Sequence, residues 1–221
     1  MRKIEFANGE YYHIYNRGVD KREVFLDEDD YLRFLTSMRE FNRVDPIGSL
    51  YEKYLTAERR GLSPQKGDSV PTEIIPLVEI IVYCLNPNHY HIILRQVSEG
   101  GVSKFMLKLS SGYSSYFNKK NKRSGSLFQG RFKAVHIDSN EYLLYLSAYV
   151  NKNNFIHGYN KNDNWTYSSL PDYLSERNGK LINKKIILGQ FGSIDEYEEF
   201  LESNALYMRG KKELTRYLIE E

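Results

Sequence analysis

Ile80-Ile81-Val82-Tyr83-Cys84-Leu85-Asn86-Pro87-Asn88-His89-Tyr90-His91-Ile92-Ile93-Leu94 is the stretch on which the reading of this chain turns. Two β-rich apolar runs flank the turn dipeptide Asn86-Pro87, which predicts two strands and a tight connection. Side chains alternate along a strand, so His89 and His91 share one face and Tyr90 takes the other. Two imidazoles side by side on a rigid strand can supply two legs of a divalent-metal site. They can equally form a structural, hydrogen-bonded pair, because a buried imidazole needs a partner of one kind or the other. Spacing alone leaves both readings open.

Outward from the pair, Tyr11-Tyr12-His13-Ile14-Tyr15-Asn16-Arg17 predicts a first strand closed by Gly18. Asp27 to Asp30 supplies acids and an N-cap, and Tyr31, Phe34, Leu35, Met38 and Phe41 follow at helical spacing. That helix should end before Asp45-Pro46. Residues 44–76 carry Gly48, Gly61, Pro64, Gly67 and Pro71, and read as an insertion with a short helix over 51–60. Beyond the histidine strands, Ser103 is expected to cap a helix with Met106, Leu109, Tyr113 and Tyr116 on its apolar stripe. Phe132 to Ile137 alternates as a strand, and Ser139 caps a helix through about Val150. The order β-α-β-β-α-β-α predicts an α+β fold: a ferredoxin-like antiparallel sheet with helices on one face. Residues 1–160 would form that domain, and 161–221 a mostly helical C-terminal extension.

The chain has 221 residues and is 41% hydrophobic, enough for a packed core, with nineteen tyrosines and a single cysteine, Cys84. One cysteine excludes an internal disulfide, and inside an apolar strand it reads as a small core residue. No apolar run approaches a membrane span, and the first residues lack the apolar core of a signal peptide; a cytoplasmic protein is expected. Net charge is only +2, but it is unevenly spread. Between Gly100 and Ile137, Lys104, Lys108, Lys119, Lys120, Lys122, Arg123, Arg131 and Lys133 occur without any Asp or Glu. Such single-sign charge is the footprint of a polyphosphate ligand, and these residues, with Arg17, are candidate phosphate contacts. Tyr113, Tyr116 and Phe117 could stack on bases, although their helical spacing favours the core. For His136 a surface or hydrogen-bonded role is the default.

The helix Glu141 to Val150 runs into Asn151-Lys152-Asn153-Asn154. Tyr142, Tyr145, Leu146 and Tyr149 share a face, and core packing is the default for each. Asn153 lies one turn beyond Tyr149 on the same side if the helix persists. A helix C-cap is the simpler role for Asn153.

Taken together these segments resemble the HUH-endonuclease superfamily, and within it the single-tyrosine, REP-associated tyrosine transposases. The resemblance runs through Tyr12 to Gly18, Phe25 to Asp27, Asp30 to Leu35, Asn86 to Leu94, Ser124 to Lys133, Glu141 to Val150 and Trp165 to Leu170. It covers about residues 11 to 174, in the family's order. The chain departs from the pattern where Asn153-Asn154 replaces an Asn-Pro pair, where Asn86 stands for a frequent Met, and in the insertion at 44–76.

The resemblance implies an HUH endonuclease fold, with Tyr149 as nucleophile and His89, His91 and Asn153 as ligands of Mg²⁺ or Mn²⁺. It implies nicking and joining of single-stranded, hairpin-forming DNA through a 5′-phosphotyrosine, and it allows a homodimer. Two other readings share the fold: a catalytically silent hairpin-binding protein, and a replication-initiator-type nickase. A metal-independent RNA-binding domain would leave the histidine pair without a purpose.

Overall fold

The computed structural model describes residues 4–45, 47–48, 50, 74–159 and 165–219. The short helix expected at 51–60, and most of the insertion, lie outside these residues. Strands β1 (Tyr11–Arg17), β2 (Val78–Asn86), β3 (His89–Gln96) and β4 (Lys133–Ile137) form one sheet in the order β2-β3-β1-β4. Every neighbouring pair is antiparallel. The helices are α1 (Glu28–Glu40), α2 (Gly101–Lys120), α3 (Asn140–Asn151), α4 (Asn153–Ile156), α5 (Leu170–Tyr173), α6 (Lys185–Leu188) and α7 (Ile194–Ile219). The fold is the expected α+β antiparallel sheet with helices.

Alternation along the strands gives the sheet two unlike faces. Tyr12 and Ile14 of β1 and Tyr90, Ile92 and Leu94 of β3 point into a core with Phe34 and Met38 of α1 and Phe105, Met106, Leu109 and Tyr113 of α2. The opposite face carries Val82, Cys84 and Ile93 against Leu143, Leu146 and Ala148 of α3 and Tyr197 and Leu201 of α7. The two ferredoxin-like helices therefore share one face, as expected. The other face is covered as well, because its apolar residues on β2 and β3 would otherwise meet water.

Local chemistry explains the element ends. Asp27 Oδ1 accepts from the Asp30 amide at 3.2 Å, and Ser139 Oγ accepts from the Tyr142 amide at 3.2 Å; both are N-caps. The cap expected at Ser103 is displaced to Gly100, which has φ +65°. Gly101, the first residue of α2, lies against the residue before β2: a Cβ on Gly101 would sit 2.1 Å from the Leu77 carbonyl oxygen. The β2–β3 connection also differs by one residue. Asn86 pairs with His89 and belongs to β2, so the two-residue turn is Pro87-Asn88. Asn86 is thereby placed on the histidine face. Beyond α4, Leu85 donates to the Tyr167 carbonyl at 3.0 Å and Ser169 to the Tyr83 carbonyl at 2.9 Å. The segment around Ser168 thus covers the outer edge of β2, which would otherwise offer unpaired backbone groups.

Gly101→Ala should destabilise the protein by roughly 1–3 kcal/mol, the usual range for overpacking a tight site. The midpoint of urea unfolding measures this, and an unchanged midpoint would contradict the close approach to Leu77.

Candidate active site

The β1–β3 register sets Arg17 opposite His89 and Tyr15 opposite His91, all on the face covered by α3. Next along β1, His13 reaches His91: its Nε2 lies 2.8 Å from His91 Nδ1, with the two rings 22° from coplanar. Tyr149, from α3, stands edge-on to His91 with ring centroids 5.5 Å apart. Its hydroxyl lies 3.3 Å from His157 Nε2. A cavity of about 550 Å³ is lined by Tyr15, Arg17, His89, His91, Gln129, Lys133, Tyr149, His157 and Tyr159. Of the chain's five histidines, only His136 lies away from this cluster; it pairs with Glu10 at 2.7 Å.

Helix α3 does not continue to Asn153. It ends at Asn151, Lys152 breaks the geometry, and Asn153 opens the single turn α4. Asn153 still reaches the sheet, where its Oδ1 lies 3.2 Å from His89 Nε2. Tyr142 and Tyr145, earlier on α3, do not line the cavity, and Tyr145 is exposed.

Hydrogen-bond direction fixes the state of His89. Asn88 Nδ2 donates to the Lys21 carbonyl at 3.1 Å, so Asn88 Oδ1 is the atom that faces His89. Oδ1 accepts from His89 Nδ1 at 2.6 Å and from the Tyr159 hydroxyl at 2.9 Å. The neutral imidazole then carries its proton on Nδ1 and presents a lone pair at Nε2. That lone pair faces another acceptor, Asn153 Oδ1. Both acceptors face the Asn86 amide nitrogen, at 3.1 Å from Nε2 and 2.7 Å from Oδ1, and both are atoms that can also ligate a cation. Burial supports this. It drives the His91 imidazole well below its ordinary pKa, with nearby His13 adding in the same direction, and takes His13 down to about 4. Neutral imidazole is the ligating form.

The residues that could hold a divalent ion here are His89 through Nε2, Asn153 through Oδ1, and the neighbouring His91 imidazole. Among the described residues no three His, Cys, Asp or Glu side chains form a cluster for a metal, so the amide is essential to the fit. Cys84 is no ligand candidate: it is fully buried, and burial pushes its thiol up to about 12. Burial also raises the Tyr149 phenol above its ordinary pKa, with the Asn153 side chain acting in the opposite direction.

The basic candidates divide. Arg17 and Lys133 line the cavity, and exposed Arg131 lies in the loop just before β4. Lys104, Lys108, Lys119 and Lys120 belong to α2, which packs on the other face of the sheet. Lys104 donates to the Glu99 carbonyl and Lys108 to the Arg43 carbonyl. Lys119 and Lys120 line a separate cavity with Arg33 and Arg43. Lys120 Nζ is 2.6 Å from Asp27 Oδ1 and 2.8 Å from Asp30 Oδ1, so acids absent from its own segment arrive from α1. Arg123 bonds Asn118 Oδ1 at 2.7 Å and the Ser126 carbonyl at 3.1 Å, and Lys122 adopts φ +48° just beyond α2. Tyr113 and Phe117 are buried in the core rather than available to bases.

Residues 76–153 match the model of the IS200-like transposase family, a span from the start of β2 through Asn153. Among solved structures, the chain is similar to a REP-associated tyrosine transposase bound to a REP hairpin. That likeness has a TM-score of 0.52 and 15% identity over 79% of this chain and 85% of the other, and it establishes the fold. No curated protein sequence matches the chain significantly. Family match and fold agree with the transposase resemblance read from the sequence. No helix among the described residues is long and apolar enough to cross a membrane.

Lys120→Ala should lower stability by about 1–3 kcal/mol, because Asp30 is fully buried and loses its cation. Urea unfolding checks this, and an unchanged midpoint would free Lys120 for another role.

Proposed function

We propose that this chain is a metal-dependent transposase that nicks and joins single-stranded DNA through a covalent 5′-phosphotyrosine. One observation carries the reading: Tyr149, His89 and His91 line one cavity with Arg17 and Lys133, and buried Asn153 reaches His89 from behind it, Oδ1 to Nε2 at 3.2 Å. His89 Nε2, His91 and Asn153 Oδ1 would hold Mg²⁺ or Mn²⁺. When bound, such an ion neutralises phosphate charge and acts as a Lewis acid toward the leaving oxygen.

The chain's own residues do the rest. Tyr149 lies across the histidine face, so its oxygen attacks a phosphorus held in the cavity. The P–O3′ bond breaks as the P–O bond to tyrosine forms; the phenol loses its proton and the 3′-oxygen ends as a hydroxyl. Phosphodiester energy is kept in the new ester, so a second 3′-hydroxyl can displace the tyrosine and rejoin DNA. A phenol with an ordinary pKa of about 10 is a weak nucleophile, so positioning must supply much of the activation. Arg17 is placed for phosphate: its Nε is buried without a hydrogen-bond partner among the described residues. Lys133, Arg131, Lys122 and Arg123 extend the proposed contact surface, and Lys104, Lys108, Lys119 and Lys120 would meet DNA only where it wraps around α2.

The proposed substrate is a hairpin-forming single strand, in keeping with the hairpin held by the similar transposase. Within one chain Tyr149 already stands 5.5 Å from His91, ring centroid to ring centroid, and the reading allows a homodimer. In this reading residues 1–160 form the catalytic domain in the cytoplasm. In the C-terminal extension, 161–221, the described residues buttress it, with the Tyr197 hydroxyl of α7 accepting from Asn151 Nδ2 at 3.0 Å.

Incubating a labelled hairpin with the protein and Mn²⁺, then mapping the adduct, tests the reading. Tyr149→Phe should keep fold and DNA binding while losing cleavage, since only the attacking oxygen is gone. His89→Ala should lose cleavage through the metal. An adduct that survives in Tyr149→Phe, or maps to another tyrosine, would sink the assignment.

Binding should also weaken steeply with salt. Removing Arg17 and Lys133 together should make the log–log salt slope shallower by roughly 1.4, at about 0.7 per single-strand phosphate contact. An unchanged slope would move the DNA away from this cavity.

A further inference from the structure

Asn86 is fully buried at the end of β2 and has no part in the chemistry proposed above. Its surroundings are unusually polar for a strand end. Its Nδ2 donates to Asn153 Oδ1 at 2.7 Å and lies 3.1 Å from His89 Nε2. Its Oδ1 accepts from Asn154 Nδ2 at 3.1 Å. Asn153 and Asn154 are likewise buried.

The orientation of each amide follows from its neighbour, starting at the Lys21 carbonyl. That carbonyl turns Asn88 Oδ1 toward His89, which places the His89 proton on Nδ1 and the lone pair on Nε2. A lone pair on Nε2 calls for a donor, so Asn86 turns its Nδ2 inward. Its Oδ1 then faces outward and is met by Asn154 Nδ2. With Asn86 Nδ2 inward, the Asn153 amide must present oxygen, not nitrogen, beside His89. Inverting Asn153 alone would set its NH₂ against that of Asn86 and lose the 2.7 Å hydrogen bond.

We infer that Asn86, held by Asn154, is a positioning residue that makes Asn153 present its oxygen to the ion between His89 and His91. The inference rests on the metal-site reading proposed above. A carbonyl oxygen has two lone pairs, so Asn153 Oδ1 can keep the Asn86 hydrogen bond and still ligate a cation. The Asn86 bond to His89 Nε2, by contrast, must give way when the ion takes that lone pair. Asn154 acts one step further out, through Asn86. Outer-shell groups of this kind are worth about 10- to 100-fold in metal affinity.

The test is the affinity for Mn²⁺ alone, without DNA, read from the EPR signal of free Mn²⁺. It uses the full chain and the variants His89→Ala, Asn86→Ala, Asn154→Ala and Asn86→Ala/Asn154→Ala. Urea unfolding is run on each, so that affinities are compared only under conditions where the variant is fully folded. His89→Ala should lose most binding; if it does not, the metal site itself is misassigned. Given that loss, Asn86→Ala should weaken Mn²⁺ binding about 10-fold. Asn154→Ala should weaken it less, and the double variant should be no weaker than Asn86→Ala, the non-additivity expected of residues acting in series. A purely structural amide would lower the unfolding midpoint and leave the folded protein's Mn²⁺ affinity intact. That result, tighter binding in Asn86→Ala, or additive losses in the double variant would overturn the inference.

Discussion

The pairing of β3 between β2 and β1 is the constraint on which the rest depends. β3 has an apolar face of Tyr90, Ile92 and Leu94 and a face bearing His89, His91 and Ile93. Antiparallel register brings Arg17, Tyr15 and His13 beside the second face from one side, and Asn86 and Cys84 from the other. A slip of one residue would exchange the faces, burying two imidazoles among Phe34 and Phe105 and exposing Tyr90 and Ile92. The large apolar cost of that exchange makes the register secure. The sheet holds the polar cluster in place because the opposite face is greasy.

A concentration of buried polar groups is costly unless each finds a partner. Here partners come from four separate segments, the loop at Lys21, the turn at Asn88, the α3–α4 break and Tyr159, while Asn153 Nδ2 and Asn154 Oδ1 have none among the described residues. A second network stabilises the helix that carries Tyr149. Ser169 Oγ donates to Asn151 Oδ1 at 2.6 Å, Asn151 Nδ2 donates to the Tyr197 hydroxyl, and buried Lys152 pairs with Glu202. C-terminal residues therefore hold the end of α3, although none of them lines the cavity. The break at Lys152 is useful, because it lets the chain turn back toward β2 and deliver Asn153 to His89.

Period-two alternation made the His89/His91 face legible from sequence, and the Asp27 and Ser139 caps marked two helix starts. Other parts depended on contacts between distant segments. His13 is in phase on β1, but only the pairing of β1 with β3 sets it against His91. His157 follows a helix break, and no periodicity connects it to Tyr149. Lys120 reads as a free cation because its acids are ninety residues away in α1. The start of α2 was misplaced at Ser103 because the preference for a hydroxyl cap was weighed without the crowding at Leu77. The two single-residue departures from the family pattern, Asn86 and Asn154, looked independent in sequence and are hydrogen-bonded to each other in the fold.

Burial has opposed effects on the two kinds of group in the cavity. It keeps His13 and His91 neutral, which suits ligation, and it holds the Tyr149 phenol protonated, which does not suit attack. The same low dielectric that disfavours the phenolate also strengthens any charge interaction placed beside it. In the proposed reaction a divalent cation next to Tyr149 would therefore shift the phenol far more than it would in water. In the same reading, Arg17 and Lys133, the cationic side chains that line the cavity among the described residues, serve phosphate rather than the phenol. In the proposed reaction, ion and phosphate together would complete the electrostatics of a site face that the sheet keeps partly dry.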